Sequence, residues 1–172
     1  ITNKDIHILF IDDGSPDNTT EVIRLIQNKD TKLLLDSKYM ILREEFVKER
    51  KELKKLKKKI TNILLIFGGS DEKNITLKIL PFCLKKNLKI TVVLGPTNEN
   101  KQKIMDVIKK ESKVKLVINP KKIAKLFSKQ DLVISSTGIT IYELACLGIP
   151  TIMIPINSAQ KETAKEMERK ES

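Results

Sequence analysis

The sequence predicts an α/β fold, a doubly wound, Rossmann-like parallel sheet. Three observations predict it. Short runs apolar at consecutive positions recur at 63–67, 90–95, 114–118, 131–135 and 151–155, the pattern of strands covered on both faces. Each run is followed by a segment of helical character. Small and polar residues gather where the runs end, and in doubly wound sheets ligands bind beyond those strand ends.

The elements follow in order. Residues 6–11 read as a buried strand, Asp12-Asp13-Gly14-Ser15-Pro16 as a turn, and Asn18 or Thr19 as a cap for a following helix. The stretch "KLLLDSKYMILREEF" (32–46) is an apolar run followed by a loop or short helix, and "VKERKELKKLKKKI" (47–60) is a basic, connector-like helix. After strand 63–67 comes Gly68-Gly69-Ser70-Asp71, then "NITLKILPFCLKK", a helix that Pro81 is expected to kink or break early. Strand 90–95 leads to helix 98–111, and strand 114–118 to a short helix over 120–129 beginning at Pro120. Strand 131–135 precedes helix 140–148, and strand 151–155 precedes a polar helix over 159–171. The domains expected are a first-domain remnant at 1–46, a basic helical linker at 47–60, a Rossmann-like domain at 61–158 and a C-terminal helix at 159–172.

Composition narrows the function. The chain has 172 residues, 40% apolar, enough for a core, and 32% charged, with a net charge of +11. Such an excess suits nucleic acid or an anionic membrane surface, but no recognised nucleic-acid motif or aromatic-studded basic strand accompanies it. We therefore read the lysines as a solvated face and expect no nucleic-acid partner. Cys83 and Cys146 lack zinc-site spacing and read as small core residues of a reduced, cytoplasmic protein. No apolar run approaches the length of a membrane span, and no signal peptide is visible. The chain opens on Ile1 rather than Met, and a fragment or an upstream start is expected.

Three loops carry the chemistry. Gly68-Gly69-Ser70-Asp71 lets the backbone turn sharply and approach a ligand, with Ser70 or Asp71 capping the next helix. A helix N-terminus there favours phosphate, though strand-Gly-Gly-turn is equally ordinary packing punctuation. Residues 135–140 (Ser-Ser-Thr-Gly-Ile-Thr) offer hydroxyls and backbone N–H groups for a diphosphate. Glu143 is expected in the first turn of the following helix. There it either complements the helix dipole or accepts bonds from two ribose hydroxyls. The third loop, 154–164, presents Asn157, Ser158 and Gln160, of which Gln160 is the candidate sugar or phosphate contact.

The runs "ILLIFGGSD" and "DLVISSTGITIYELACLGIPTIMIPI", with a Gln and an Ala near the end, resemble the C-terminal domain of GT-B nucleotide-sugar enzymes of the MurG type. Within that group, "LLLDSKYMILREEF" is similar to a run preceding the linker in the UDP-sugar hydrolases of pseudaminic acid biosynthesis and related spore-coat polysaccharide proteins. The resemblance covers about 32–164. It implies the C-terminal half of a GT-B fold with a remnant of the first domain. It implies that Gly68, Gly69 and Ser70 face the diphosphate, that Ser136, Thr137, Gly138 and Thr140 hold phosphate, that Glu143 binds the uridine ribose, and that Gln160 lies near the sugar-diphosphate. It also implies hydrolysis by water with no metal and no cofactor. The family's catalytic histidine sits in a G-H-x-x-R loop of an N-terminal domain; His7 has no such surroundings, and no catalytic residue is assigned. The family's Gly-Pro before Lys38-Tyr39 is Asp36-Ser37 here.

Residues 8–23, "ILFIDDGSPDNTTEVI", also resemble the first nucleotide-binding motif of GT-A family 2-like glycosyltransferases, in which Asp12 and Asp13 would be nucleotide contacts. The long domain with a D-x-D motif that should follow is absent from this sequence. The expected function is binding of a UDP-sugar and a part in its hydrolysis, with a partner domain or subunit supplying the catalytic half. The alternatives are a MurG-like UDP-sugar glycosyltransferase or a non-catalytic nucleotide-binding half of a two-part enzyme. Peripheral membrane contact through the basic helix 47–60 is a further expectation.

Overall fold

The computed structural model describes residues 8–12, 31–35, 41–53 and 59–170. The chain divides into two units, 1–41 with 165–172, and 42–164. In the first, β1 (Ile8–Asp12) and β2 (Thr31–Leu35) pair in parallel, Ile8 opposite Thr31 and Asp12 opposite Leu35. His7, Asp13, the Asn18/Thr19 cap and residues 36–40 lie outside the described residues.

The second unit begins with α1 (Glu44–Glu52) and continues through β3 (Asn62–Ile66), α2 (Ile75–Leu84), β4 (Lys89–Leu94) and α3 (Lys101–Ile108). It goes on to β5 (Val114–Ile118), α4 (Ile123–Phe127), β6 (Leu132–Ser135), α5 (Ile139–Leu147) and β7 (Thr151–Met153). The last helix, α6, is Ser158–Lys170. The five strands form one parallel sheet in the order β5-β4-β3-β6-β7. The chain winds outward from β3 in one direction, then returns to β6 and winds the other way. This is the doubly wound sheet the sequence predicts, with its topological switch between β3 and β6.

Strand alternation sorts the apolar runs onto two faces. Leu64, Val93 and Val133 point to one face, where Phe46 of α1, Phe127 of α4, and Leu144 and Leu147 of α5 cover them. Ile63, Leu65, Val92, Leu94 and Ile134 point to the other, under Leu80 of α2 and Ile104 of α3. With both faces sealed, every position of a strand is worth burying, which is why the runs are apolar without a break.

Several boundaries differ from the sequence expectation, each for a physical reason. Helix α1 starts at Glu44 rather than Val47, and Phe46 is fully buried against Phe127, ring centroids 6.1 Å apart. Residues 42–46, expected to close the first-domain segment, thus fall in the second unit with the start of the expected linker, and Phe46 buries its ring there. Helix α2 runs through Pro81 to Leu84. Helix α4 begins at Ile123, after Asn119 takes a left-handed turn at φ 45° and donates its N–H to Leu94 O at 2.9 Å. Helix α3 begins only at Lys101, because Asn98 Oδ1 accepts the Asn100 N–H at 2.9 Å and holds a turn.

One carboxylate ties the amino ends of the two central strands. Asp131 Oδ2 accepts from Thr61 N, Thr61 Oγ1 and Asn62 N, each at 2.8 Å. These bonds set β6 beside β3 before their ladder begins at Ile63–Leu132. We expect Phe46→Ala to cost about 3–5 kcal/mol, the range for emptying a buried aromatic site, read as a lower urea midpoint with an unchanged denaturant slope.

Candidate functional site

The site is built where β3 and β6 end together. Ile66 pairs with Ser135, and Ser136 donates its N–H to Ile66 O at 3.3 Å. The loops 67–71 and 136–138 thus leave the same edge side by side. β7 continues the edge, with Ile154 N donating to Ser135 O at 2.8 Å, so the loop before α6 joins them.

The two glycine loops differ in what their following helices offer. Gly68 has φ 79°, a left-handed conformation that suits glycine, and the space a Cβ would fill is open. Asp71, itself at φ 48° and buried, takes the Ile75 N–H on Oδ1 at 2.8 Å and the Thr76 N–H on Oδ2 at 3.0 Å. The start of α2 is therefore neutralised from within, and Gly68, Gly69 and Ser70 can serve a ligand through their own backbone rather than through that helix. Ser70 Oγ points to Glu72 Oε1 at 3.4 Å.

Helix α5 is the opposite case. Its N-cap is Gly138, with no side-chain cap, and open space lies where a Cβ of Gly138 would be. Of the first turn, Ile141 N donates to Gly138 O at 3.1 Å, and the Ile139 and Thr140 N–H groups make no hydrogen bond among the described residues. An uncapped N-terminus beside open space attracts an anion through oriented N–H groups and the helix dipole. The Ser135 hydroxyl is spent locally, on Ser136 O at 2.9 Å.

Gln160 is brought to this loop as a bracket. Its Oε1 accepts from Thr137 N at 3.1 Å, Thr137 Oγ1 at 3.3 Å and Ile156 N at 3.1 Å. The Thr137 N–H expected for phosphate is thus occupied by Gln160, whose own Nε2 makes no hydrogen bond among the described residues. Lys73, after β3, donates to Ile156 O, so the loops after β3, β6 and β7 are tied into one rim.

Glu143 is not in the first helical turn. It is the fifth residue of α5, because the helix begins at Ile139, and beyond the first turn the helix dipole no longer accounts for it. Its carboxylate is buried, and Arg43 holds it: Nε and Nη2 donate to Oε1 at 2.9 and 2.8 Å. Burial pushes its pKa above the ordinary 4.5, the hydrogen bonds and charge of Arg43 pull it back, and the charge of Glu45 pushes it up. Both Arg43 bonds fall on Oε1, so Oε2 is not used by the pair.

Sequence reasoning missed Arg43 and Gly95 outright, and for Gln160 and Asp71 it missed the contacts they make. Arg43 and Gln160 act on residues far away in sequence, and Asp71 was read only as an alternative cap. At Gly95 a Cβ would lie 2.2 Å from Gly69 O and 2.3 Å from Gly69 Cα. The signal was present, a glycine directly after strand β4, but only the fold shows that another glycine's backbone lies on it. A separate cavity of about 460 Å³ opens at the opposite, amino edge, lined by Lys89, Lys113, Lys115, Lys129 and Gln130 among others. No site residue lines it, and it lies away from the switch point where such sheets bind ligands. Among the described residues no group of three His, Cys, Asp or Glu side chains is placed to hold a metal ion. No described helix is long and apolar enough to cross a membrane.

Fold and rim together define a Rossmann-like domain of the GT-B class. Residues 43–172 match the glycosyltransferase family 28 C-terminal domain, and the chain belongs to that family. It is 39% identical over 132 residues to MJ1062 of Methanocaldococcus jannaschii, covering 73% of this chain and 27% of that one. It is 29% identical over 148 residues to the spore coat polysaccharide biosynthesis protein SpsG of Bacillus subtilis, covering 83% of this chain and 43% of SpsG. It is also 29% identical over 132 residues to the UDP-2,4-diacetamido-2,4,6-trideoxy-beta-L-altropyranose hydrolase of Campylobacter jejuni, covering 77% and 47%. The chain thus spans between about a quarter and a half of these relatives. Acinetobacter baumannii MurG shares the fold, with a TM-score of 0.62 at 16% identity over 96% of this chain and 51% of MurG.

Because a methyl at Gly95 would collide with the Gly69 backbone, Gly95→Ala should displace the Gly68-Gly69 loop. We expect new amide chemical shifts for residues 67–71 and little change in those of α4 and α5. For Asp71→Ala, loss of two cap bonds should lower stability by about 1–2 kcal/mol in chemical denaturation.

Proposed function

We propose that the chain binds a UDP-sugar at the carboxyl edge of its sheet and takes part in releasing UDP from it by hydrolysis, in surface-polysaccharide or nonulosonic-acid biosynthesis. The observation that carries this reading is the start of α5. An uncapped helix N-terminus faces open space at the topological switch point, one turn before a buried carboxylate. The N–H groups suit a diphosphate. The carboxylate suits the vicinal hydroxyls of a ribose. Similarity to SpsG and to the Campylobacter jejuni hydrolase supports the polysaccharide setting and the hydrolytic outcome.

In this reading Gly68, Gly69 and Ser70 line the diphosphate from the β3 side, and Ser136, Gly138 and Thr140 from the β6 side. Glu143 Oε2 receives the ribose. Gln160 sets the Thr137 loop through its Oε1 and turns its Nε2 to the sugar-diphosphate. As the sugar–oxygen bond breaks, negative charge grows on the diphosphate where oriented N–H donors already stand, which lowers the barrier to departure of UDP. Water is the nucleophile, and the group that takes its proton comes from a second domain or subunit. No metal or other cofactor has a part in this scheme.

A second reading, transfer of the sugar to an acceptor hydroxyl, is favoured by the glycosyltransferase family to which the chain belongs. It uses the same nucleotide contacts and differs in the nucleophile. UDP-sugar incubated with the chain plus its catalytic partner separates the two: hydrolysis releases UDP and free sugar without an acceptor, whereas transfer gives UDP and glycosylated acceptor only when an acceptor is added.

UDP at millimolar concentration should raise the melting temperature, since a ligand of the native state stabilises it; a short DNA duplex should not. A salt-sensitive shift with DNA and none with UDP would sink the proposal. Glu143→Gln should weaken UDP binding at least ten-fold by calorimetry with the fold intact.

The ribose acceptor must be ionised, and its native pKa lies above 4.5. UDP affinity should therefore fall on acidification at a pH above that of an exposed glutamate. The same raised value means the native state takes up this proton before the unfolded chain does. Glu143 thus adds stability as pH falls from its native pKa toward 4.5, and Glu143→Gln should flatten the melting-temperature profile in that interval.

A further inference from the structure

We propose that Arg43 is the positioning residue for Glu143, fixing one carboxylate oxygen so that the other is presented to the ribose diol. This inference rests on the nucleotide reading above and assigns a role to a residue outside the loops of the site. Arg43 stands at the N-cap position of α1, 100 residues from Glu143 in sequence.

Each nitrogen of the guanidinium has a carboxylate partner. Nε and Nη2 grip Glu143 Oε1 at 2.9 and 2.8 Å, and Nη1 pairs with Glu45 Oε1 at 3.1 Å. Its Cζ lies 5.0 Å from the centroid of the Phe46 ring, and Phe46 is fully buried. Glu45 is itself anchored, its Oε2 facing Ala124 N of α4 at 3.4 Å. Two turns beyond Arg43, Arg50 Nη1 donates to Leu147 O, at the end of α5, at 3.0 Å. Arg43, Phe46 and Arg50 fall at i, i+3 and i+7, one face of a helix, so α1 is clamped along α5 at two points.

A buried carboxylate needs a partner, and removal of the partner leaves an uncompensated charge that protonates or swings toward water. Arg43 supplies that partner without filling the site. Its side chain is 58% exposed while that of Glu143 is 6% exposed, so the contact reaches Glu143 from outside and leaves Oε2 uncommitted. A lysine would keep the charge but not the planar two-point grip.

The test is calorimetric binding of UDP and 2′-deoxy-UDP to the full chain. Wild type should prefer UDP at least ten-fold. Arg43→Gln should weaken UDP about ten-fold, leave 2′-deoxy-UDP nearly unchanged and bring the preference close to one. Arg43→Lys should restore only part of it. In a Glu143→Gln background, Arg43→Gln should have no further effect. Equal weakening of both ligands by Arg43→Gln, a retained preference, or additional weakening in the Glu143→Gln background would each overturn the inference. Wild type that fails to bind UDP, or that binds it without preferring ribose, overturns the nucleotide reading itself. Melting curves of each variant verify folding, and Arg43→Lys gives the readout if Arg43→Gln does not fold.

Discussion

The structure depends on one pairing, β6 laid parallel to β3 after the chain has wound outward through β4 and β5 and come back. A parallel pair cannot be closed by a tight turn and has no local contact to start it. Asp131 supplies a fixed point at the amino end, one carboxylate oxygen taking three donors from Thr61 and Asn62. Once that register is set, the loops after β3 and β6 must emerge together at the other end. The crossovers must also lie on opposite faces. The gap at the rim is a consequence of topology and needs no side chain to open it.

What the rim becomes depends on how its backbone donors are spent. Of the helices that begin there, α2 and α5 are treated differently. Asp71 folds back onto α2 and consumes its donors. Gly138 gives α5 no side-chain cap, only its carbonyl, which accepts from Ile141 N. A glycine N-cap gives up only about a few tenths of a kcal/mol relative to an Asp or Ser, so the α5 donors stay free of a side-chain cap at little cost to the helix. Gln160 and Lys73 reinforce the contrast. They secure the loop after β7 by its own N–H and carbonyl and leave the α5 donors alone.

Helix α1 links that rim to the core. It buries Phe46 against Phe127, and Arg43 at its N-cap and Arg50 within it reach α5. Gly148 fits the same clasp: at φ 65° it ends α5, and a side chain there would meet Arg50 Nη1 at 2.8 Å. The residues that end α5 and the carboxylate in its middle are therefore positioned by one neighbouring helix.

Much of this was legible in the sequence. Alternating apolar runs and helical segments define a doubly wound sheet, because burial on both faces leaves a signal within a few consecutive residues. The loops at 68–71 and 135–140 and the lone acid at Glu143 follow from the same reading. The boundaries at Asn119, Asn98 and Gly138 were displaced by one to three residues from those expected, since turn chemistry at a helix start is decided by single hydrogen bonds. Only the tertiary structure decided which donors remain for a ligand and which are consumed. It also decided that Arg43 faces Glu143, that Asp131 secures β3, and that Gly95 yields its space to Gly69. Periodicity and propensity report on neighbours within a turn or two. These contacts join residues 26 to 100 apart in sequence, and they exist only once the parallel strands have brought distant segments to a common edge.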